Sequence, residues 1–256
     1  MKMNARALLL GLFFLGLMGC ATGSSRTLSS KETKVDGLLN LASASINEGD
    51  YISALEYLNQ VRELDDSNPK EYYFYSLAYL GKKEVRLATD AARRAIHLDP
   101  KYSAAKNTLG KLLLDQGKYD ESEKYLLEAA NDLLNRESGL PKLNLGVLYF
   151  KTLKYAKSEK WLNLAIEERS SLSCLAQFYI GKIRLTQNDL NHAEKAFTAS
   201  AKGGCSAMSE AHLAIGQTLA REKKYDQARA KFIEIQRLFP SSDAYDKAVE
   251  YLREIP

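Results

Sequence analysis

Small and bulky residues recur along this chain in one fixed register. Ala42, Ser76, Gly110, Gly146, Gly181 and Gly216 stand 34, 34, 36, 35 and 35 residues apart, and Ala54, Ala88, Ser122, Ser158, Ala193 and Ala228 repeat the same five spacings. A third series, Val61, Ala95, Ala129, Ala165, Ser200 and Ile235, follows seven residues after the second. Between the second and third lies a slot holding Leu58, Ala92, Leu126, Leu162, Phe197 and Phe232. Two ladders in one register mark a structural repeat. Small residues on both ladders let two helices approach closely, and the bulky side chain four residues past the second fills the gap beside them. Each period therefore predicts one helical hairpin.

The punctuation agrees. Polar turn segments fall midway between the two ladders, at Glu48 to Tyr51, Asp115 to Tyr119, Lys151 to Tyr155, Gln187 to Leu190 and Lys223 to Asp226. Helix stops recur at Leu98-Asp99-Pro100 and Leu238-Phe239-Pro240, with Asp65 to Pro69 close to that form. Two departures stand out. The third repeat lacks the final Pro and carries two extra residues around Asp132 to Ser138, which predicts an extended second helix. After Pro240, Ser241-Ser242-Asp243 can cap a last helix reaching Glu254, with Ala244, Ala248, Tyr251 and Leu252 on one side. Such a helix would shield the open end of the stack.

The N-terminus follows a different pattern. Lys2 and Arg6 precede the apolar run Ala7 to Met18, which has the layout of a secretory signal and is short for a membrane span. It closes on Leu17-Met18-Gly19-Cys20, which resembles the lipobox of bacterial lipoproteins. That resemblance implies a signal peptide over residues 1–19, cleavage before Cys20, and acyl chains on the Cys20 thiol and amine. Ala21 follows where Asp would favour inner-membrane retention, so the expected location is the outer membrane, facing the periplasm. Residues 20–35 are polar, small and aperiodic, and are expected to form a flexible tether.

Composition removes other classes. Hydrophobic residues make up 45% of the 256 and charged residues 27%, with 15 Gly and 5 Pro, which excludes disordered and collagen-like chains. The 36 Lys plus Arg against 32 Asp plus Glu give +4, or +2 once Lys2 and Arg6 leave with the signal, and the charges are mixed. No nucleic-acid partner is expected. Three Cys and three His are scattered, so no metal site, cofactor or catalytic set is expected. His97, His192 and His212 fall at helix positions and read as surface or packing residues. Trp161, beside Leu162, reads as inter-helix packing.

The hairpin period, its small ladders and its Pro-terminated ends resemble the tetratricopeptide repeat, with six copies near 35–68, 69–102, 103–138, 139–173, 174–208 and 209–242. The resemblance implies an all-α superhelical solenoid over 36–256 that binds a protein partner and carries no chemistry of its own. In that architecture the first helix of each hairpin lines the concave side. The groove positions are then Leu39, Ile46, Tyr73, Leu77, Leu80, Leu114, Leu143, Val147, Phe150 and Phe178, a mainly apolar set suited to a partner's amphipathic helix or extended segment. The alternative is that a tight superhelix packs many of these against one another. Asn107, Lys111 and Asn144 come nearest to the clamp with which some members of the family hold a terminal carboxylate, without completing it.

Lipobox, tether and six repeats ending in Gln236 to Ser242 resemble the type IV pilus biogenesis lipoproteins, the pilotins. The resemblance implies an adaptor that helps the pilus secretin reach and assemble in the outer membrane. A structural subunit of another outer-membrane assembly is the alternative. Export also bears on Cys174 and Cys205: the register puts one at the start of a hairpin and the other just past its end, so antiparallel packing brings them together. A disulfide between them is expected, with two free, partly buried thiols as the alternative.

Overall fold

The structure, a computed structural model, describes residues 30–132, 134–135 and 138–256. The expected signal peptide, Cys20 and most of the expected tether lie outside the described residues. The rest is helical and stacks as hairpins: α1 (Ser30–Glu48) with α2 (Tyr51–Leu64), α3 (Pro69–Gly81) with α4 (Val85–Leu98), and α5 (Ser103–Asp115) with α6 (Tyr119–Ala130). They continue with α7 (Gly139–Lys151) and α8 (Tyr155–Glu168), α9 (Ser173–Thr186) and α10 (Leu190–Ala199), then α11 (Ser209–Arg221) and α12 (Tyr225–Leu238), closed by α13 (Asp243–Glu254). Each second helix also packs on the first helix of the next hairpin, and α1, α3, α5, α7 and α9 touch in succession along one side.

The ladders do what their side chains require. A Cβ at Gly110 would lie 2.6 Å from Leu126, at Gly146 2.5 Å from Leu162, at Gly181 2.6 Å from Phe197 and at Gly216 2.5 Å from Phe232. All four bulky partners are fully buried. Each partner stands sixteen residues after its ladder position, and bulk is complementary across the pair: glycine faces Leu or Phe, whereas Ser76 is matched with Ala92. The second ladder adds hydrogen bonds. Ser122 Oγ donates to the Gly110 carbonyl and Ser158 Oγ to the Gly146 carbonyl, each at 2.7 Å and buried.

All six hairpin turns close the same way. The amide of Asp50, Glu84, Lys118, Lys154, Asp189 or Lys224 donates to the carbonyl five residues back, at 2.8–3.0 Å. This is the wider bond of a Schellman motif, and the residue before each donor takes a positive φ. Gly49 and Gly117 adopt it without a Cβ penalty, but Lys83, Leu153, Asn188 and Lys223 hold φ of 58–63° at the equivalent places.

Two boundaries differ from the sequence expectation. The tether expected to reach residue 35 ends sooner, because α1 begins at Ser30. Val35, Leu38, Leu39 and Ala42 form a buried stripe at helical spacing, and the turn before it contains no helix breaker, so the helix propagates back to Ser30. The second helix of the third repeat is not extended: α6 stops at Ala130. Asn135 Nδ2 donates to the Ala129 carbonyl at 2.9 Å, and Asp132 Oδ1 accepts the Leu134 amide at 3.0 Å. Asn and Asp side chains thus replace the next helical bonds, and the extra residues enter the loop.

At the C-terminal end, Ser242 Oγ caps α13 by accepting the Tyr245 amide. Ala244 and Ala248 are buried, and Tyr251 stacks on Phe232 with ring centroids 5.1 Å apart. The last hairpin is thereby covered. Near the other end, Glu71 is completely buried on α3. Its Oε1 accepts from Arg62 Nε at 3.1 Å, while Oε2 has no hydrogen-bond partner. Both groups are shifted upward, with opposite effects on charge: against its own burial, Tyr75 and Glu71 push Arg62 up, which favours its cation, whereas burial pushes Glu71 up to about 7, which favours the neutral carboxyl. The carboxyl's desolvation governs its titration, because Arg62 is 47% exposed and shares its charge with water.

Candidate protein-binding groove

The side lined by the first helices carries the predicted contact positions, and the structure divides them. Leu39, Leu114, Leu143 and Val147 are only 3, 1, 6 and 7% exposed. They belong to the core clusters between hairpins, so they are supports of the groove and not its surface. The cause is the close succession of first helices, which covers side chains that the repeat register alone leaves facing outward. Ile46, Tyr73, Leu77, Phe150 and Phe178 are half-buried, and Leu80 is exposed.

The remaining surface has two aromatic stations. At the N-terminal end, the Tyr73 ring lies 5.1 Å from Tyr102 and 5.5 Å from Phe74. Asp36, Leu39, Asn40, Lys70, Phe74 and Tyr102 line a depression of about 370 Å³ there. Burial, then the neighbouring Tyr73 and Asp99, push the Tyr102 hydroxyl well above its ordinary value. This phenol stays neutral and acts as a hydrogen-bonding apolar surface.

The central station sits on α7 and α9. Phe150 meets Tyr179 edge-on at 5.3 Å, and Phe178 meets Tyr179 at 5.9 Å and Phe197 at 5.7 Å. Lys182 Nζ lies over these rings, 4.9 Å from the Phe150 centroid, 5.6 Å from Phe178 and 5.4 Å from Tyr179. Burial, reinforced by the like charge of Lys151, holds the Lys182 ammonium below its usual range. Tyr179 is shifted up, mainly by burial and then by the charge of Asp115. The signal for this station was present in the sequence as Phe178-Tyr179 followed by Lys182, one helical turn apart. What the sequence could not show is that Phe150 of the preceding hairpin completes the ring of aromatics.

The three groups resembling a terminal-carboxylate clamp engage one another or a neighbour. Asn144 Nδ2 donates to Asn107 Oδ1 at 2.9 Å, and Lys111 is paired with Asp115. The histidines are accounted for by packing and surface contacts. His97 is exposed, and His192 pairs with Asp189. His212 is buried against Phe239, its Nε2 is 3.1 Å from the Ser206 carbonyl, and burial keeps it neutral. Trp161 packs on the cluster containing Leu114, Leu126 and Leu148. Cys174 and Cys205 are joined by a disulfide, with their Cα atoms 5.4 Å apart. The bridge ties the start of α9 to the short turn that enters α11.

A Pseudomonas aeruginosa relative, the type IV pilus assembly protein PilF, is 24% identical over 250 residues, covering 96% of this chain and 98% of the relative. The solved structure of P. aeruginosa PilF superposes with a TM-score of 0.73 at 19% identity, over 86% of this chain and 98% of that one. PilW, described as a widely conserved type IV pilus biogenesis factor, gives a TM-score of 0.75 at 17% identity, over 84% and 98% of the two chains. Both structures share the fold. Tetratricopeptide repeat profiles match residues 35–68, 76–138, 107–172 and 180–243. With that pattern over most of its length, and with hairpins whose ladders pack glycine against Leu or Phe, the chain belongs to the tetratricopeptide repeat family.

Proposed function

We propose that this protein is a lipid-anchored, non-enzymatic adaptor of the outer membrane, tethered through Cys20, that holds a protein partner in its groove and serves as a pilotin for a type IV pilus secretin. The observation that carries this reading is the end-to-end alignment with PilF, which spans 98% of a protein named for type IV pilus assembly. The lipobox residues Leu17 to Cys20 support the anchor, because two or more acyl chains hold a protein stably on a bilayer where a polar tether has no apolar surface to insert. Among the described residues no helix is long and apolar enough to cross a membrane. The half-buried aromatic stations supply the apolar contact area on which repeat grooves rely.

The test uses a strain lacking the gene, complemented with wild type or Cys20→Ser. Loss of assembled secretin from the outer membrane, restored by wild type alone, is the expected result. A fatty-acid probe should label the wild type and not the Ser variant, which should remain soluble in the periplasm or unprocessed. Normal secretin assembly without the gene would refute the pilotin role, and unchanged outer-membrane fractionation of Cys20→Ser would refute the anchor.

A further inference from the structure

We infer that the central station of the groove is a recognition site for an acidic side chain of a partner polypeptide, in which Lys182 receives the carboxylate while Phe150 and Phe178 take an adjacent bulky apolar side chain. The inference deepens the adaptor reading and rests on it. Its basis is a comparison of lysines within the molecule. Lys106, Lys142 and Lys231, whose side chains are 12, 13 and 16% exposed, each sit against a carboxylate: Glu128 at 2.7 Å, Glu168 at 2.5 Å and Glu234 at 2.9 Å. Lys182 is half-buried as well, yet among the described residues no carboxylate pairs with it, and its contacts are three aromatic rings. Asp115, the acid whose charge reaches Tyr179, is engaged by Lys111. A partly desolvated cation with no anion is costly to maintain, and the ring faces compensate it only in part. A partner carboxylate would complete the charge balance that the other lysines obtain from their own chain.

The surroundings argue for a side-chain carboxylate over a chain end. A terminal carboxylate is recognised by several convergent donors, but Asn107 and Asn144 are bonded to each other and Lys111 is taken. One free cation flanked by rings reads charge beside apolar bulk. Lys151 adds a second positive charge nearby and raises the local potential without a direct contact.

The full chain, acylated and held in detergent, is applied to an array of end-blocked random peptides, so that the outcome is independent of whether a secretin is the physiological partner. The expected result is that bound peptides are enriched in Asp or Glu next to Phe, Leu or Tyr. Replacing that acid by its amide in the best peptide should weaken binding about tenfold, as should Lys182→Met, whereas Lys182→Arg should retain most of it. A free C-terminus on the same peptide should add nothing. Lys182→Met should also melt at a higher temperature than wild type, because it keeps the apolar stem and removes an unpaired charge. Binding without acidic enrichment, unaltered binding by Lys182→Met, no binding to any peptide, or a Lys182→Met variant that loses stability and binding together would each overturn the inference. Failure of secretin assembly in the deletion strain would stand regardless of these outcomes, so the two readings fail separately.

Discussion

Gly146 and Leu162 offer a direct measure of how far the fold depends on close approach of helices. A methyl group at Gly146 would sit 2.5 Å from Leu162 Cδ2, 2.6 Å from Cγ and 3.3 Å from the backbone nitrogen. Carbon contacts are comfortable near about 3.5–4.0 Å. A rotation of Leu162 about χ2 moves Cδ2 but leaves Cγ in place, so α7 and α8 must part by roughly 1 Å, judged against that contact distance. Overpacking of this kind costs about 1–3 kcal/mol. Parting the helices also stretches the 2.7 Å bond from Ser158 Oγ to the Gly146 carbonyl, whose loss is worth about 1 kcal/mol. Alanine recovers about 1 kcal/mol of helix propensity. Gly146→Ala should therefore destabilise by about 2 kcal/mol.

Leu162→Ala alone should cost about 2–5 kcal/mol through the cavity it leaves. Together the two changes should cost less than their sum by about 1–3 kcal/mol, since the truncated side chain makes room for the new methyl. Gly37→Ala is the control: nothing lies within 4 Å of its Cβ, so only the propensity gain remains, worth about 1 kcal/mol or less. Urea unfolding followed by circular dichroism gives all four values. Additivity of Gly146→Ala and Leu162→Ala within about 0.5 kcal/mol would refute steric complementarity as the reason for the ladder.

Glu71 and the disulfide give two further expectations. Because the Glu71 carboxyl titrates near 7 in the fold against 4.5 ordinarily, its contribution to stability is complete below about pH 4.5 and declines as pH rises through 7, by about 3 kcal/mol at most. Glu71→Gln should remove that decline and stabilise the protein at pH 8; melts across pH 4–8 in which wild type and variant run parallel would contradict the assignment. The Cys174–Cys205 bridge spans 31 residues of sequence, and closing such a loop is worth about 4 kcal/mol on the chain-entropy account. Cys174→Ser/Cys205→Ser should melt well below the oxidised wild type and match the wild type under reductant. Two alkylatable thiols in the unreduced, unfolded protein would show that the bridge does not form.

What the sequence disclosed, and what it withheld, follows from the range of the forces involved. The ladders were legible because steric exclusion is local and absolute: the sixteen-residue step from Gly146 to Leu162 lies inside one hairpin, and only a residue without a side chain permits that contact. The turns were legible as positions but not as conformations. Polarity marks where the chain reverses, whereas a left-handed Leu153 is imposed by the helices on either side of it, against the residue's own preference. The loop after α6 is illegible for a related reason, since two extra residues fit a longer helix by length alone, whereas Asp132 and Asn135 compete for the backbone and end it.

The groove was the least legible feature, because its exposure is set between hairpins. Register assigns Leu114, Val147 and Phe150 to one face, but the spacing between successive first helices decides that Leu114 and Val147 are covered and Phe150 is not. The same spacing brings Phe150 from one hairpin onto Phe178, Tyr179 and Lys182 of the next. A lysine that the register places on the same face as Phe178 becomes, through that packing, a half-buried cation over three aromatic rings. Specificity in such a groove therefore resides in what neighbouring repeats do to each other's side chains: a variant that alters the α7–α9 spacing should change partner choice even when every groove residue is kept.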